Sequence, residues 1–201
     1  GVDHLVQHGA DSFGQPVGFG IVPVASVSAR LLLKEVDRWK VALDSEGVAP
    51  KSVVSIEADF SPRAIALMLS LIEHSCTIVP LSSSVKSQIP EFRDIAQVEV
   101  VITFGEEDSA EITKTGKTMD HPVLESLKEA EHPGLVLFSS GSTGKSKAAV
   151  HDFVPMLEKY KVPRHSLRTI TFLLFDHIGG VNTLLYNLSN AGCVITVQDR
   201  R

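Results

Sequence analysis

The chain has 201 residues, 43% of them hydrophobic and 21% charged, with a formal net charge of −5. This is globular composition, and a chain of this length buries roughly 70% of its unfolded surface without help from disulfides or metals. No basic stripe interrupts the acidic balance, so nucleic acid is not an expected partner.

Residues 1–26 are Gly-rich at their centre and lack periodicity, and are expected to form an irregular arm. They also lack the basic start and apolar stretch of a signal peptide. The longest apolar runs, such as AIALMLSLI, fall short of the roughly 20 residues of a membrane helix, so no span is expected and the placement expected is cytoplasmic. Cys76 and Cys193 each sit inside an apolar segment and read as buried free thiols of a reducing compartment.

From Val27 to Leu43 the residues Val27, Leu31, Leu32, Val36, Trp39 and Leu43 recur at helical spacing, and Gly47 supplies a stop. SVVSI (52–56) is β-branched and predicts a strand. Ser61 followed by Pro62 predicts a capped start for the helix RAIALMLSLIEH, whose apolar residues run nearly all round it, as in a buried helix. CTIVPL (76–81) predicts a second strand, and a weaker helix spans about 90–97 before the strand VEVVITF. The acidic stretch 105–120 has little periodicity and is expected to be a surface excursion. PVLESLKEAE predicts an amphipathic helix and LVLF a buried strand. Beyond residue 146 come the short strand KAAV, a helix over about 152–160, the strand TITFLLF, a helix after Gly180 and the strand CVITVQ. Alternating strands and helices imply an α/β fold with largely parallel sheets flanked by helices. In such sheets ligands bind beyond the carboxyl ends of the strands.

Two loops at such positions carry unusual chemistry. The first follows LVLF and reads SSGSTGKSK, residues 139–147. Its glycines, Gly141 and Gly144, allow close backbone approach to a ligand. Ser139, Ser140, Ser142 and Thr143 offer hydroxyls, and Lys145 and Lys147 offer charge. The triplet GKS is also the tail of a P-loop, but the position that should hold its first glycine is Ser139. A P-loop lysine opens a helix, whereas here the chain continues into KAAV, and a new helix start appears only near Asp152 and Pro155. A strand–loop–strand device is expected. The second loop is FDHIGG, residues 175–180.

FSSGSTGKSK resembles the signature of the adenylate-forming superfamily, which includes acyl-CoA synthetases, peptide-synthetase adenylation domains and luciferases. Phe138, Ser139, Ser140, Gly141, Ser142, Thr143 and Gly144 match position by position, and Lys147 falls on the lysine of the motif. Lys145 occupies its free position. Ser146 and Ala148 depart from it, standing where Pro and Gly are usual. Phe175, His177, Gly179 and Gly180 resemble the element bordering the acyl pocket of the family, with Asp176 left as structural. A weaker likeness runs through LDSEGVAPKSVVSIEADFSPRAIALMLSLIEHSCTIVPLSS, AAVHDF and NAGCVITVQ.

What the resemblance implies is activation of a carboxylic acid by ATP as an acyl-adenylate, with release of pyrophosphate, followed by transfer to coenzyme A or another thiol such as that of a carrier protein. Residues 139–144 and Lys147 would hold the phosphates, His177 would orient the carboxylate, and Phe175, His177 and Gly179 would shape the acyl pocket. The acid itself stays open among fatty, aryl and amino acids. The magnesium ligand, the adenine and ribose contacts and the catalytic lysine of the family are not found in this sequence, so residues 27–201 are expected to be the first part of a longer N-terminal domain, inactive by itself. Two alternatives are carried forward: a non-catalytic phosphate- or nucleotide-binding module, and a P-loop NTPase with a degenerate first position.

Overall fold

The computed structural model describes residues 27–105, 108–140 and 146–196. The arm expected over residues 1–26 lies outside them. Helix α1, Ala29–Ser45, is capped by the Ser28 hydroxyl, which accepts the Leu31 N–H. Leu32, Val36, Trp39 and Leu43 form its buried stripe, while Leu31 and Val27 fall off it and stay exposed. Beyond its end, Gly47 takes a φ of +62°, which reverses the chain.

Strand β1 (Val53–Glu57) leads to helix α2 (Pro62–Glu73), where Ser61 accepts the Ala64 N–H and Pro62 opens the first turn. Every residue from Ala64 to Ile72 is buried, as its apolar circumference requires. Strand β2 (Thr77–Leu81) is followed by a 3₁₀ turn (Ser83–Gln88), helix α3 (Ile89–Ile95) and strand β3 (Val100–Phe104). Strand β4 (Ala110–Lys114), helix α4 (Pro122–Glu129), strand β5 (Gly134–Ser140) and strand β6 (Ser146–Asp152) come next. The chain then forms helix α5 (Phe153–Glu158), a 3₁₀ turn (Lys159–Lys161), strand β7 (Arg168–Thr171), helix α6 (Ile178–Ser189) and strand β8 (Cys193–Thr196).

Six strands make the main sheet in the order β4-β3-β1-β2-β5-β6. Its four central strands are parallel, and β4 and β6 close the edges antiparallel to their neighbours. Alternate strand residues feed two cores. Val54, Ile56, Ile78, Leu135 and Leu137 pack with α1, α2 and α6 on one face. Val53, Val79, Leu81, Val101 and Val136 pack with Phe92 of α3 and Leu124 of α4 on the other. Burial on both faces explains why these strands read as unbroken apolar runs. β5 reaches β2 closely at Gly134, where a Cβ would lie 2.8 Å from both Thr77 Oγ1 and Leu127 Cδ1.

Two expectations are corrected. Residues 105–120 are not only a surface excursion, because Ala110–Lys114 pair in full register with β3. AEITK is mostly polar, since an edge strand meets water on one side and needs little apolar content. The strand expected over TITFLLF ends at Thr171. Phe172 is 76% exposed, and the chain then turns to bury Leu174 and Phe175. β7 and β8 form a separate two-stranded parallel sheet.

Candidate functional site

The carboxyl ends of β1, β2 and β5 lie side by side, and the loops leaving them build the site. From β5 the chain passes through residues 141–145 into β6, with Ser139 opposite Lys147 and Ser140 opposite Ser146 in the hairpin ladder. Gly141, Ser142, Thr143, Gly144 and Lys145 lie outside the described residues. Those flanking them decide between the two readings of the loop, because Ser146–Asp152 is a strand and not the first turn of a helix. The P-loop arrangement is therefore absent, as the apolar KAAV run implied. Lys147 is exposed on the edge strand, and no described residue pairs with its ammonium.

Beside the hairpin is a cleft of about 120 Å³ lined by Leu81, Val85, Phe92, Phe138, Ser139 and Asp176, among others. Its firmest wall is the stack of Phe92 on Phe138, with ring centroids 3.9 Å apart and planes within 2°. α3, which carries Phe92, is tied to β1 by a two-pronged ion pair. Arg93 Nε and Nη2 donate to Glu57 Oε1 and Oε2, each at 2.6 Å. The hydrogen bonds to Glu57 raise the Arg93 pKa, and its partial desolvation opposes them. A planar fork of this kind fixes orientation as well as distance.

The serine loop after β2 is clamped between two carboxylates. Asp59 accepts the Ser83 N–H at 2.9 Å and the Ser83 hydroxyl at 2.8 Å. Asp176 accepts the Ser84 hydroxyl at 2.9 Å and also the hydroxyl of Ser82, a residue only 1% exposed. Sequence reading left Asp176 as a structural residue. In the structure it holds the serine loop and also lines the cleft. The run LSSS at a strand end, opposite an Asp, was the signal available for this contact.

His177 is the N-cap of α6, and its Nδ1 accepts the Gly179 N–H at 2.9 Å. An accepting Nδ1 leaves the ring proton on Nε2, so the exposed edge of the imidazole is a hydrogen-bond donor. α6 starts at Ile178, before the glycine pair it was expected to follow. The glycine pair, which read as a break between strand and helix, lies inside the first turn of the helix for a steric reason. A Cβ on Gly180 would stand 1.9 Å from the Leu174 carbonyl oxygen, and one on Gly179 would stand 2.8 Å from Leu173 Cδ1. Phe175 is fully buried, edge-on to Phe60 with centroids 4.4 Å apart, and does not line the cleft. Of the expected residues, the structure thus gathers Ser139 and Lys147 on the hairpin and His177 beside Asp176. It sets Phe175 in the core behind them.

Among the described residues no group of three His, Cys, Asp or Glu side chains could hold a metal ion, and no helix is long and apolar enough to cross a membrane. Cys76 is buried and Cys193 half-buried, both as free thiols. Burial pushes the Cys76 thiol up to about 12, against backbone hydrogen bonds from Ser52 and Lys51 that lower it.

No family model matches the sequence. It is 24% identical over 204 residues to a dimodular nonribosomal peptide synthase of Bacillus subtilis (strain 168), an alignment covering 86% of this chain and 8% of that protein. Among solved structures the chain resembles the Klebsiella oxytoca NpsA N-terminal subdomain in complex with 3-hydroxyanthranilyl-AMSN. That match has a TM-score of 0.64 at 17% identity, covering 85% of this chain and 46% of the other. The inhibitor-bound N-terminal domain of FACL13 from Mycobacterium tuberculosis gives a TM-score of 0.64 at 14% identity, covering 87% and 51%. The chain therefore spans about half the length of these structures and under a tenth of the peptide synthase.

Proposed function

We propose, from the fold that this chain shares with the N-terminal subdomains of adenylate-forming enzymes, that it is the phosphate- and acid-facing part of an ATP-dependent carboxylate–AMP ligase. The observation that carries this reading is the β5–β6 hairpin, which sets Ser139, in the lining of an aromatic-walled cleft, opposite Lys147, whose ammonium has no partner among the described residues. In the reaction a carboxylate oxygen attacks the α-phosphorus of ATP, the bond from that phosphorus to the bridging oxygen of the β-phosphate breaks, and pyrophosphate leaves with the bonding pair. Charge accumulates on the departing phosphates, where hydroxyls and a lysine stabilise it.

The donors of this chain divide the work. Ser139 and Lys147 would face the phosphates, together with Ser140, Gly141, Ser142, Thr143 and Gly144 of the motif. The outward Nε2–H of His177 would donate to the substrate carboxylate and orient it, the positioning that makes the attack effectively unimolecular. Phe92 and Phe138 would wall the acid, and Phe175, locked against Phe60, would hold the His177 loop from behind, with Gly179 leaving room at its edge. Magnesium would neutralise phosphate charge, and its ligand is expected outside this chain. The acyl acceptor would be a thiol. The peptide-synthase relative makes a carrier protein the acceptor to test beside coenzyme A.

The test is a titration of this chain with pyrophosphate and with ATP. Lys147→Ala should weaken both about tenfold, the cost of one charge-assisted contact, and Lys145→Ala should change them little. A larger loss at Lys145 would sink the proposal. Carboxylate-dependent pyrophosphate exchange by the longer protein would then identify the acid.

A further inference from the structure

A second cavity, of about 200 Å³, opens away from the cleft, between the 3₁₀ turn Lys159–Lys161 and the outer face of α6. Asn182, Tyr186 and Asn190 line it at four-residue intervals along that helix, so one stripe of α6 forms its wall. Its polar side is made of donors. Asn182 Oδ1 accepts from Lys159 Nζ at 2.7 Å and from the Tyr160 hydroxyl at 2.8 Å. Because an ammonium can only donate, this fixes the amide orientation and leaves the Asn182 NH₂ group without an acceptor among the described residues. The Arg164 backbone N–H is held by Asn190 Oδ1, while its guanidinium meets no acceptor among the described residues. Among the described residues no carboxylate lines the cavity, and the neighbouring Glu158 is already paired with Lys161 at 2.5 Å.

The apolar side is equally defined. Val162, 60% exposed, and the ring of Tyr186 face the space. The Tyr186 hydroxyl is occupied by the His165 carbonyl at 3.0 Å, which holds the ring in place. The Tyr160 phenol is pushed up to about 12 by burial, so it stays a neutral donor and adds no negative charge. A cavity of about 150 Å³ is known to take one benzene ring, so this one has room for a single ring with a small substituent.

We propose that this cavity binds a small aromatic carboxylate, its charge met by the Arg164 guanidinium, Lys159 and the Asn182 amide, and its ring laid against Tyr186 and Val162. The site lies apart from the β5–β6 hairpin, and the inference stands whether or not the chain belongs to a ligase.

Benzoate is the probe, titrated into the full 201-residue chain by calorimetry, with side-chain amide NMR to locate it. Saturable binding is expected, with the Asn182 amide resonances shifted. Arg164→Ala should weaken it about tenfold, since a hydrogen-bonded charge is worth roughly 1.4 kcal/mol or more. Arg164 is exposed with no side-chain partner among the described residues, so the variant should fold as the parent does. His177→Asn, which keeps a capping oxygen, should leave benzoate binding unchanged, which separates this site from the cleft where His177 is proposed to meet a carboxylate. Absence of saturation by ~10 mM benzoate would overturn the proposal. Equal binding of benzyl alcohol would show a merely greasy pocket, and equal binding of acetate a merely basic patch. Either would overturn it, as would loss of binding in His177→Asn with Arg164→Ala unaffected.

Discussion

Ser82, buried just past the end of β2, donates a hydroxyl hydrogen bond to Asp176, which lies 94 residues further along the chain at the entrance to α6. One carboxylate thereby connects the loop leaving the main sheet to the loop that presents His177. Asp176 also accepts from the Ser84 hydroxyl, so its removal leaves the two serine hydroxyls, 2.6 Å apart, with only each other, and one of them without an acceptor.

Asp176→Ala should cost about 1–3 kcal/mol, the price of leaving a buried hydroxyl unsatisfied. Urea denaturation measures it, and amide exchange at Ser83, Ser84 and Val85 should quicken more than exchange in α2. An unchanged midpoint with unchanged exchange would mean that the loop is held by Asp59 alone.

Gly180→Ala should destabilise the chain by about 3 kcal/mol or more, because the new methyl meets backbone rather than a side chain that can swing aside. Gly116→Ala is the control. There φ is +74° with nothing within 4 Å of the added carbon, so only backbone strain of about 1 kcal/mol is expected. Thermal melting of the two variants should rank them clearly, and equal losses would contradict the packing described for the 172–177 turn.

His177 has two separable duties. His177→Ala removes a helix cap, worth about 1 kcal/mol, together with the Nε2 donor. His177→Asn retains a capping oxygen and removes the imidazole. In the longer protein, pyrophosphate exchange should fall in both variants while stability falls only in His177→Ala. Recovery of exchange in His177→Asn would reduce the residue to a cap.

The Cys76 thiol sets an alkaline limit. Its pKa rises from 9.0 in the open chain to about 12 in the fold. The folded state therefore keeps a proton that the unfolded state releases. Stability is whole below pH 9 and declines as pH climbs toward 12, by about 1.4 kcal/mol per unit where the two states differ by one proton. Tyr160, raised from 10.0 to about 12, adds to the upper part of that decline. Denaturant melts from pH 8 upward should show the slope, and Cys76→Ala should flatten it between about pH 9 and 10, before Tyr160 contributes.

Most of this architecture was legible because burial leaves periodic traces. The stripe of α1, the apolar circumference of α2 and the Ser61–Pro62 start each record one local environment. The strand after the glycine loop was legible from what was missing, since KAAV lacks any helix-opening signal. β4 was not, because an edge strand is patterned by one partner only. TITFLLF misled for the opposite reason. Its apolar residues serve two structures in succession, a short strand and then a turn that plugs Leu174 and Phe175 beneath α6, and composition cannot mark where one passes to the other. The site divides likewise. The hairpin was legible in its motif, whereas the Phe92–Phe138 stack and the Ser82–Asp176 contact join residues 46 and 94 positions apart and exist only once the sheet order is known.

The two sheets differ in how they are upheld. The larger is packed on both faces, while β7 and β8 contribute four paired residues each, with Ile170 57% and Phe172 76% exposed beside them. A parallel pair this short has little stability of its own, and α6 supplies the shelter it has. On warming, this corner should open first and the six-stranded layer last, an order of melting drawn along the chain. Proteases would then find the segment between Val162 and Leu173 well before the strands that shape the cleft, leaving the β1–β6 core as the surviving fragment.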